Sequence, residues 1–141
     1  MAIIALSPSA LAVSPSMAGV RTTADGSMVQ GIRWHRNFDA GWREAARRNV
    51  PMVIFISARR CHYCEVMKAS TWADPCVTNE VNQDYVAISL NPDDNAAVLS
   101  RIDVEMYPMT LVGLPEGRII DSLKGFQPVK EILRLVQKHR R

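Results

Sequence analysis

The feature that most constrains the fold of this 141-residue chain is an apolar run that leads directly into a pair of cysteines. The run, VPMVIFIS at residues 50–57, is dense in β-branched and aromatic side chains. A short segment that is apolar on both faces is typical of a central strand covered on both sides. Cys61 and Cys64 follow within RRCHYCEVM, residues 59–67, and the chain from Cys64 to Trp72 has helical composition. The cysteine pair is therefore predicted at a strand-to-helix junction.

A cysteine pair with this spacing has several chemical interpretations: a redox couple, half of a metal site, or a structural disulfide. A closed zinc site needs about four ligands, and the remaining candidates form no second spaced pair; they are His35, His62, Cys76 and His139. A structural disulfide across so short a loop restrains little of the unfolded chain. The redox couple is the favoured hypothesis, with no metal and no bound cofactor, and metal binding by the cysteines is kept as an alternative.

Strand and helix patterns alternate along the rest of the chain. YVAISL, residues 85–90, is predicted as a second buried strand, and MTLVGL and RIIDSL on either side of residues 115–117 predict an antiparallel hairpin. Helical spacing occurs in further segments, which are expected to start at Asn37 or Asp39, at Asp94 or Asn95, and at Pro128. Asp74 and Pro75 are expected to end the helix after the cysteines or to bend it sharply, and a short helical turn follows them.

Strands that are separated by helices imply right-handed parallel crossovers, and the hairpin adds antiparallel strands. The predicted fold is α/β, with a central mixed β-sheet of about four to five strands that is flanked by helices on both faces. It is assigned to residues 31–141. Residues 1–30 are rich in Ala, Ser and Pro, and we interpret them as a flexible N-terminal tail or a degenerate export signal.

The expected localisation of the protein is also based on the first 30 residues. An apolar stretch and an A-x-A sequence at residues 10–12 favour export to the periplasm or secretion, although a basic start is missing and Pro8 interrupts the apolar run. Without export the protein is cytoplasmic. No stretch reaches the 18 or so apolar residues that span a membrane, so stable membrane insertion is not expected. Nucleic-acid binding is not expected either, because no basic motif interleaved with aromatic residues is present.

The chemistry expected at the cysteines follows from their position. If a helix begins at Cys61, its sulfur faces free N–H groups and the positive end of the helix dipole, and both favour the thiolate. Arg59, Arg60 and protonated His62 add positive charge nearby. Cys61 is thus the expected nucleophile towards a disulfide, and Cys64, one turn later, is the thiol that resolves the mixed disulfide. Cys76 is expected to be a half-buried structural thiol.

On these residues the chain from about Trp34 to His139 resembles a thioredoxin-fold domain. It is similar to the short bacterial thioredoxin-like proteins with a disulfide-isomerase-like active site. The matching features are the buried strand that runs into Cys61-His62-Tyr63-Cys64, a later proline that leads into a strand, a glycine in the hairpin turn, and a Gly-Phe pair before the last helix. The last three are Pro108, Gly117 and Gly125-Phe126.

The resemblance implies a thiol–disulfide oxidoreductase that acts on proteins. It also implies that Pro108 is cis and faces the cysteines, and that the backbone of Tyr107 pairs with extended substrate. Two departures separate the chain from thioredoxins proper. Phe55 stands where they carry a buried acid, and Arg60 and Tyr63 replace the Trp and Pro of their motif. Extra positive charge stabilises the reduced form, so an oxidase or isomerase direction is favoured.

The partners expected on this hypothesis are protein substrates with cysteines and an unidentified redox partner, and the protein is expected to be a monomer. An alternative from another class is a thioredoxin-fold binding or chaperone-like module with little redox turnover. In that case an apolar surface near Tyr63, Trp72 and Tyr107 would hold the partners. A Cys61→Ser variant separates the two hypotheses, because a binding module keeps its function without the cysteine.

Overall fold

A five-stranded mixed sheet organises residues 31–141, the part of the chain that this computed structural model describes. The elements in chain order are β1 (Trp34–His35), α1 (Phe38–Arg48), β2 (Met52–Ile56), α2 (His62–Ala69), α3 (Pro75–Asp84), β3 (Val86–Leu90), α4 (Pro92–Leu99), β4 (Met109–Gly113), β5 (Ile119–Lys124) and α5 (Val129–His139). The strand order across the sheet is β1-β3-β2-β4-β5. The predicted mixed α/β fold is confirmed. The interpretation of residues 1–30 falls outside the described residues.

Strand β2 lies in the middle of the sheet, as its apolar run predicts. It pairs in parallel with β3 and antiparallel with β4, and every residue of it is buried. Its side chains alternate between two apolar clusters. Val53 and Phe55 belong to the cluster with α2, α3 and α5, whereas Met52, Ile54 and Ile56 belong to the cluster with α1 and α4. The two clusters cover opposite faces of the strand, so helices pack on both faces of the sheet.

Several details differ from the predictions. Residues 74–75 begin a helix instead of ending one: the Asp74 carboxylate accepts the N–H groups of Cys76 and Val77, and Pro75 occupies the first turn of α3. Helix α2 has already ended at Ala69. Cys76 is an exposed free thiol, so the expectation of a half-buried one is wrong. The inward face of α3 is formed by the residues after it, beginning with Val77.

Helices α4 and α5 also start differently from the prediction. Asn91 caps α4, since its side chain accepts the N–H of Asp94 at 2.9 Å, and Pro92 is the first helical residue. Asn95 lies inside α4 with non-helical dihedral angles, and its side chain accepts the N–H of Asn91. Pro128 is the residue before α5, which begins at Val129. The two-residue strand β1, which was not predicted, pairs in parallel with β3.

The register of the strands brings three separate chain segments to one end of the sheet. Ile56, the last residue of β2, pairs with Met109, the first residue of β4, and Met109 also pairs with Lys124, the last residue of β5. The loop after β2, the loop before β4 and the turn after β5 therefore meet at this end. Asp93 of α4 reaches the same region, where it pairs with Arg59 at 3.3 Å.

Candidate active site

Cys61 lies directly before helix α2 and forms a disulfide with Cys64. Its backbone is extended, with φ −103° and ψ 103°, and its sulfur accepts the N–H of Cys64 at 3.2 Å. The cysteine thus takes the place of the oxygen side chains that usually satisfy the first N–H groups of a helix. The N–H groups and the helix dipole that point at this sulfur stabilise negative charge on it once the disulfide is reduced.

The two sulfur-bearing residues differ in exposure. Cys61 is half-buried at the surface, whereas Cys64 is completely buried, with 0% of its surface exposed. Cys64 belongs to the apolar cluster that also contains Phe55, Met67 and Trp72. Cys61 is therefore accessible from solvent, whereas Cys64 is accessible only through its bond to Cys61.

Phe55 occupies the inner face of β2 at the position where the resemblance leads one to expect an acid. It is 1% exposed, and its ring packs against Trp72 and Trp34 with centroid distances of 5.5 and 6.1 Å. Its neighbour on β4, Thr110, is fully buried, and the Thr110 hydroxyl has no hydrogen-bond partner among the residues described here. Within residues 31–141 the buried polar side chains are serine and threonines, so no carboxylate is enclosed with Cys64.

Because Trp72 is buried, it cannot be part of the surface that the alternative hypothesis of a binding module requires. We expected Trp72, together with Tyr63 and Tyr107, to form an exposed apolar surface in that case. The structure places Trp72 in the core with 4% of its surface exposed, edge-on to Trp34 at 5.2 Å. Trp72 is thus unavailable to a partner, whereas Tyr63 and Tyr107 are exposed.

The positively charged residues around Cys61 are not equivalent. Arg59 forms an ion pair with Asp93, so much of its charge is compensated. Arg60 and His62, on either side of Cys61 in sequence, are both exposed. The ring of His62 contacts the ring of Tyr63 edge-on, with centroids 5.4 Å apart. Arg60 adopts the left-handed backbone conformation, with φ 58°, which residues other than glycine rarely take.

The loop before β4 lies at the same end of the sheet. The Tyr107–Pro108 peptide bond is cis, Pro108 is buried, and Tyr107 is exposed. The Pro108 carbonyl accepts the N–H of Gly125 at 2.8 Å, which ties this loop to the turn after β5. A methyl group added to Gly125 would lie 3.7 Å from the end of the Met106 side chain. Cys61, Pro108 and Gly125 thus come from three segments that the sheet brings to one end.

Exposed apolar side chains occur on α2 and on the loops at this end of the sheet, and the sequence identified only some of them. Tyr63 and Tyr107 were predicted, but Met106, Val66 and Phe126 were not assigned to the site. The signal for Phe126 was its position after Gly125 in a polar segment, where a core role is unusual. The signal for Met106 was its place in a loop next to Pro108.

Within residues 31–141, no group of three or more His, Cys, Asp or Glu residues is placed to hold a metal ion. Over the same residues, no helix is both long and apolar enough to cross a bilayer.

A surface cysteine before a helix, linked to a buried cysteine one turn later at the end of a central strand, is the arrangement of a redox-active pair. With a mixed sheet covered on both faces by helices, it defines a thiol–disulfide oxidoreductase of thioredoxin type. A family model described as Thioredoxin-like matches residues 33–114, and the chain belongs to this family.

Individual thioredoxins and solved structures agree with this assignment. Thioredoxins from Staphylococcus saprophyticus and Staphylococcus aureus are 29% identical over 79 residues, which cover 50% of this chain and 75% of theirs. The fold is similar to a thioredoxin from Thermus thermophilus, with a TM-score of 0.68 and 19% identity over 77% of this chain and 87% of that one. It is also similar to the oxidised C-terminal domain of DsbD from Neisseria meningitidis, with a TM-score of 0.63 and 20% identity over 72% of this chain and 91% of that one.

Proposed function

We propose that this protein exchanges disulfides with protein substrates, with Cys61 as the attacking thiol and Cys64 as the resolving thiol. The Cys61 thiolate attacks one sulfur of a substrate disulfide, and the other substrate sulfur leaves as a thiolate. The Cys64 thiolate then attacks the Cys61 sulfur, so the substrate is released with both cysteines reduced and the Cys61–Cys64 disulfide forms. In reverse, the disulfide is passed to a substrate dithiol.

The observation that carries this assignment of roles is the difference in burial between the two sulfurs. A nucleophile must be reached by a macromolecular disulfide, and Cys61, half-buried at a surface, fulfils this condition. A resolving thiol needs access only to the sulfur of Cys61, to which Cys64 is bonded in the oxidised state. Because Cys64 is completely buried, a substrate cannot attack or be attacked there.

The exposed residues around Cys61 support a protein substrate. Tyr107 and Pro108 form a bend directly before β4, and we propose that the backbone of Tyr107 pairs with extended substrate. Tyr63, Met106 and Phe126 are 62%, 46% and 38% exposed, and side chains of this size contribute most of the apolar area at a recognition surface.

For the direction of exchange, we favour oxidation or isomerisation. A helix N-terminus and a nearby unpaired cation stabilise the reduced thiolate, and a stabilised reduced form makes the disulfide a stronger oxidant. Arg60 and protonated His62 supply this charge, whereas Arg59 contributes less than its sequence position suggests because Asp93 compensates it.

The test is the reduction potential of the pair, measured by equilibration in graded glutathione buffers and mass analysis of trapped thiols. We expect a value near about −120 to −180 mV, and a value near about −270 mV would contradict the oxidase or isomerase direction. Two variants test the roles of the sulfurs. Both are made in a Cys76→Ser background, because Cys76 is an exposed free thiol. Reduced Cys64→Ser is expected to accumulate mixed disulfides with substrate and Cys61→Ser to form none; mixed disulfides on Cys64 in the latter would refute the assignment.

A further inference from the structure

Several cations on this side of the fold are paired with carboxylates. Three cations near this end of the sheet each contact a carboxylate: Arg59 with Asp93 at 3.3 Å, Lys68 with Glu65 at 3.0 Å, and Lys124 with Glu105. Arg60, in contrast, forms no ion pair and no side-chain hydrogen bond with any residue of 31–141. Of the two arginines on the cysteine loop, Arg60 is therefore the one without a carboxylate partner among residues 31–141.

Arg60 lies where its positive charge can contact a substrate that is bonded to Cys61. Arg60 immediately precedes Cys61, is exposed, and has a flexible side chain long enough to reach past the neighbouring residue. A substrate cysteine bonded to Cys61 brings its own sequence neighbours within reach of that guanidinium. His62, on the other side of Cys61, is also exposed and adds a second positive charge when it is protonated. The carboxylates of Asp94 and Asp103 belong to α4 and the following loop, not to the cysteine loop.

We infer that Arg60 makes the site selective for disulfides whose reacting cysteine has an acidic neighbour, with apolar residues further along the substrate. The inference rests on the proposed function, since it concerns the same mixed disulfide. The apolar residues of the substrate are received by Tyr63, Met106 and Phe126, which are exposed on α2 and on the loops at the same end of the sheet. Arg60 contributes a charged hydrogen-bond donor, and the guanidinium fork matches the geometry of a carboxylate.

Arg60 also affects the thiolate of Cys61, and this second effect must be separated from substrate selection. Charge stabilisation of the thiolate changes the rate with every substrate by the same factor. Selection changes the ratio of rates between substrates that differ in one charge. The ratio is therefore the quantity to measure.

The experiment uses the reduced protein in a Cys76→Ser background, because Cys76 is an exposed free thiol. Its substrates are three peptides, each with one cysteine bonded to 2-thiopyridine, that differ only in an Asp, Asn or Lys next to the cysteine. Attack of the Cys61 thiolate on the peptide sulfur releases pyridine-2-thiolate, which is read by its absorbance as the thione. Cys64 then displaces the peptide thiol. We expect the Asp peptide to react about fivefold faster than the Lys peptide at low salt, and the ratio to approach one in about 1 M salt.

Two substitutions test Arg60 without a change in backbone preference. Arg60→Asn removes the charge and Arg60→Asp reverses it, and both residues tolerate the left-handed conformation that Arg60 adopts. We expect the rate ratio to fall to about one in the first variant and to invert in the second. Arg118→Asp is the matched control, because Arg118 is exposed in the hairpin turn at the opposite end of β4. It is expected to keep the wild-type ratio.

The outcomes separate this inference from the proposed function. Equal rates for the Asp and Lys peptides in the wild type, or an unchanged ratio in Arg60→Asp, would overturn the role of Arg60 in selection while leaving disulfide exchange intact. If Cys61→Ser released thiopyridone as fast as the wild type, the proposed function itself would fail. A preference for Asp that Arg118→Asp also abolished would show a diffuse effect of net charge and would likewise overturn the inference.

Discussion

Phe55 packs edge-on against Trp72, with ring centroids 5.5 Å apart and an angle of 65° between the rings. Both residues are in the cluster that buries Cys64, and Trp34 packs against both rings, with centroids 5.2 Å from Trp72 and 6.1 Å from Phe55. Aromatic pairs in this geometry contribute about 0.5–1.5 kcal/mol beyond the area they bury. The part of the core that contains Cys64 is therefore apolar, and the contacts among the three rings make it rigid.

Replacement of Phe55 by alanine is expected to lower the free energy of unfolding by about 3–5 kcal/mol, because a large cavity opens in a core that cannot fully collapse. The measurement is urea denaturation followed by tryptophan fluorescence. Phe126→Ala is the matched control: it removes the same atoms at a position that is 38% exposed, and we expect a loss below about 1 kcal/mol. Equal losses in the two variants would contradict the core role of Phe55.

The contribution of Tyr85 to the free energy of unfolding is expected to be lost at alkaline pH. Its hydroxyl donates to the carbonyl of Val136 at 2.8 Å, and burial raises the pKa of this phenol well above its ordinary value. The unfolded phenol ionises near about pH 10, so the stability that Tyr85 contributes is present below that pH and is lost as the pH rises further. At pH 7 Tyr85→Phe is expected to cost only about 1 kcal/mol, since Val136 keeps the N–H of Arg140 as a donor.

The gap in unfolding free energy between wild type and Tyr85→Phe should shrink between pH 7 and about pH 11. Tyr107→Phe, at an exposed tyrosine, serves as the control and should show no such pH dependence. A gap that stays constant over this range would show that Tyr85 ionises as easily in the folded protein as in the unfolded chain.

Asp121 is expected to link stability to acidic pH. It accepts hydrogen bonds from His139 at 2.8 Å and Lys138 at 3.0 Å, and the His139 contact is the largest cause of the lowered pKa of this carboxyl. Because the folded pKa lies below the unfolded value of about 3.9, the contribution is present above that pH and is lost as the pH falls through the lower folded value.

Asp121→Asn is therefore expected to cost about 1 kcal/mol at pH 7, near the upper end for partly exposed ion pairs, and almost nothing near pH 2. Chemical denaturation of both proteins across this range measures the difference. Asp103→Asn, which changes an exposed carboxylate without an ion pair in residues 31–141, should leave stability unchanged at either pH. A difference at Asp121 that grew on acidification would have the wrong sign for this explanation.

The sequence predicted the elements whose signals are local and repeated. The run before the cysteines identified β2 because all five residues of the strand are buried, which leaves no polar position to interrupt the pattern. The hairpin was predictable from the turn residues between two apolar segments. The position of Cys61 at the start of α2 followed from the strand-to-helix junction, and Phe55 was recognised as an apolar residue at a position that favours an acid in thioredoxins.

Other features have no local signal. Strand β1 has two residues, Trp34 and His35, and is defined only by pairing with β3, which lies about 50 residues later in sequence. The start of α4 was expected at Asp94 or Asn95, but Asn91 caps the helix and Pro92 occupies its first turn, and an Asn-Pro pair is also common in turns. The ion pair of Arg59 with Asp93 depends on how two strand ends meet, so the sequence alone could not show that Arg60 keeps the uncompensated charge.

The strand order also determines when the resolving cysteine becomes covered during synthesis. β2 precedes the cysteines, but its second neighbour, β4, ends at Gly113, and α5, which completes the cluster around Cys64, follows later still. A ribosome adds about 5–20 residues per second, and about 50 residues separate Cys64 from Gly113, so both thiols emerge seconds before the sheet can close over one of them. Throughout that interval Cys64 is as open to oxidants and to the thiol of Cys76 as Cys61 is. In the finished fold only Cys61 of this pair is open to other thiols and oxidants. This restriction does not yet apply to the nascent chain.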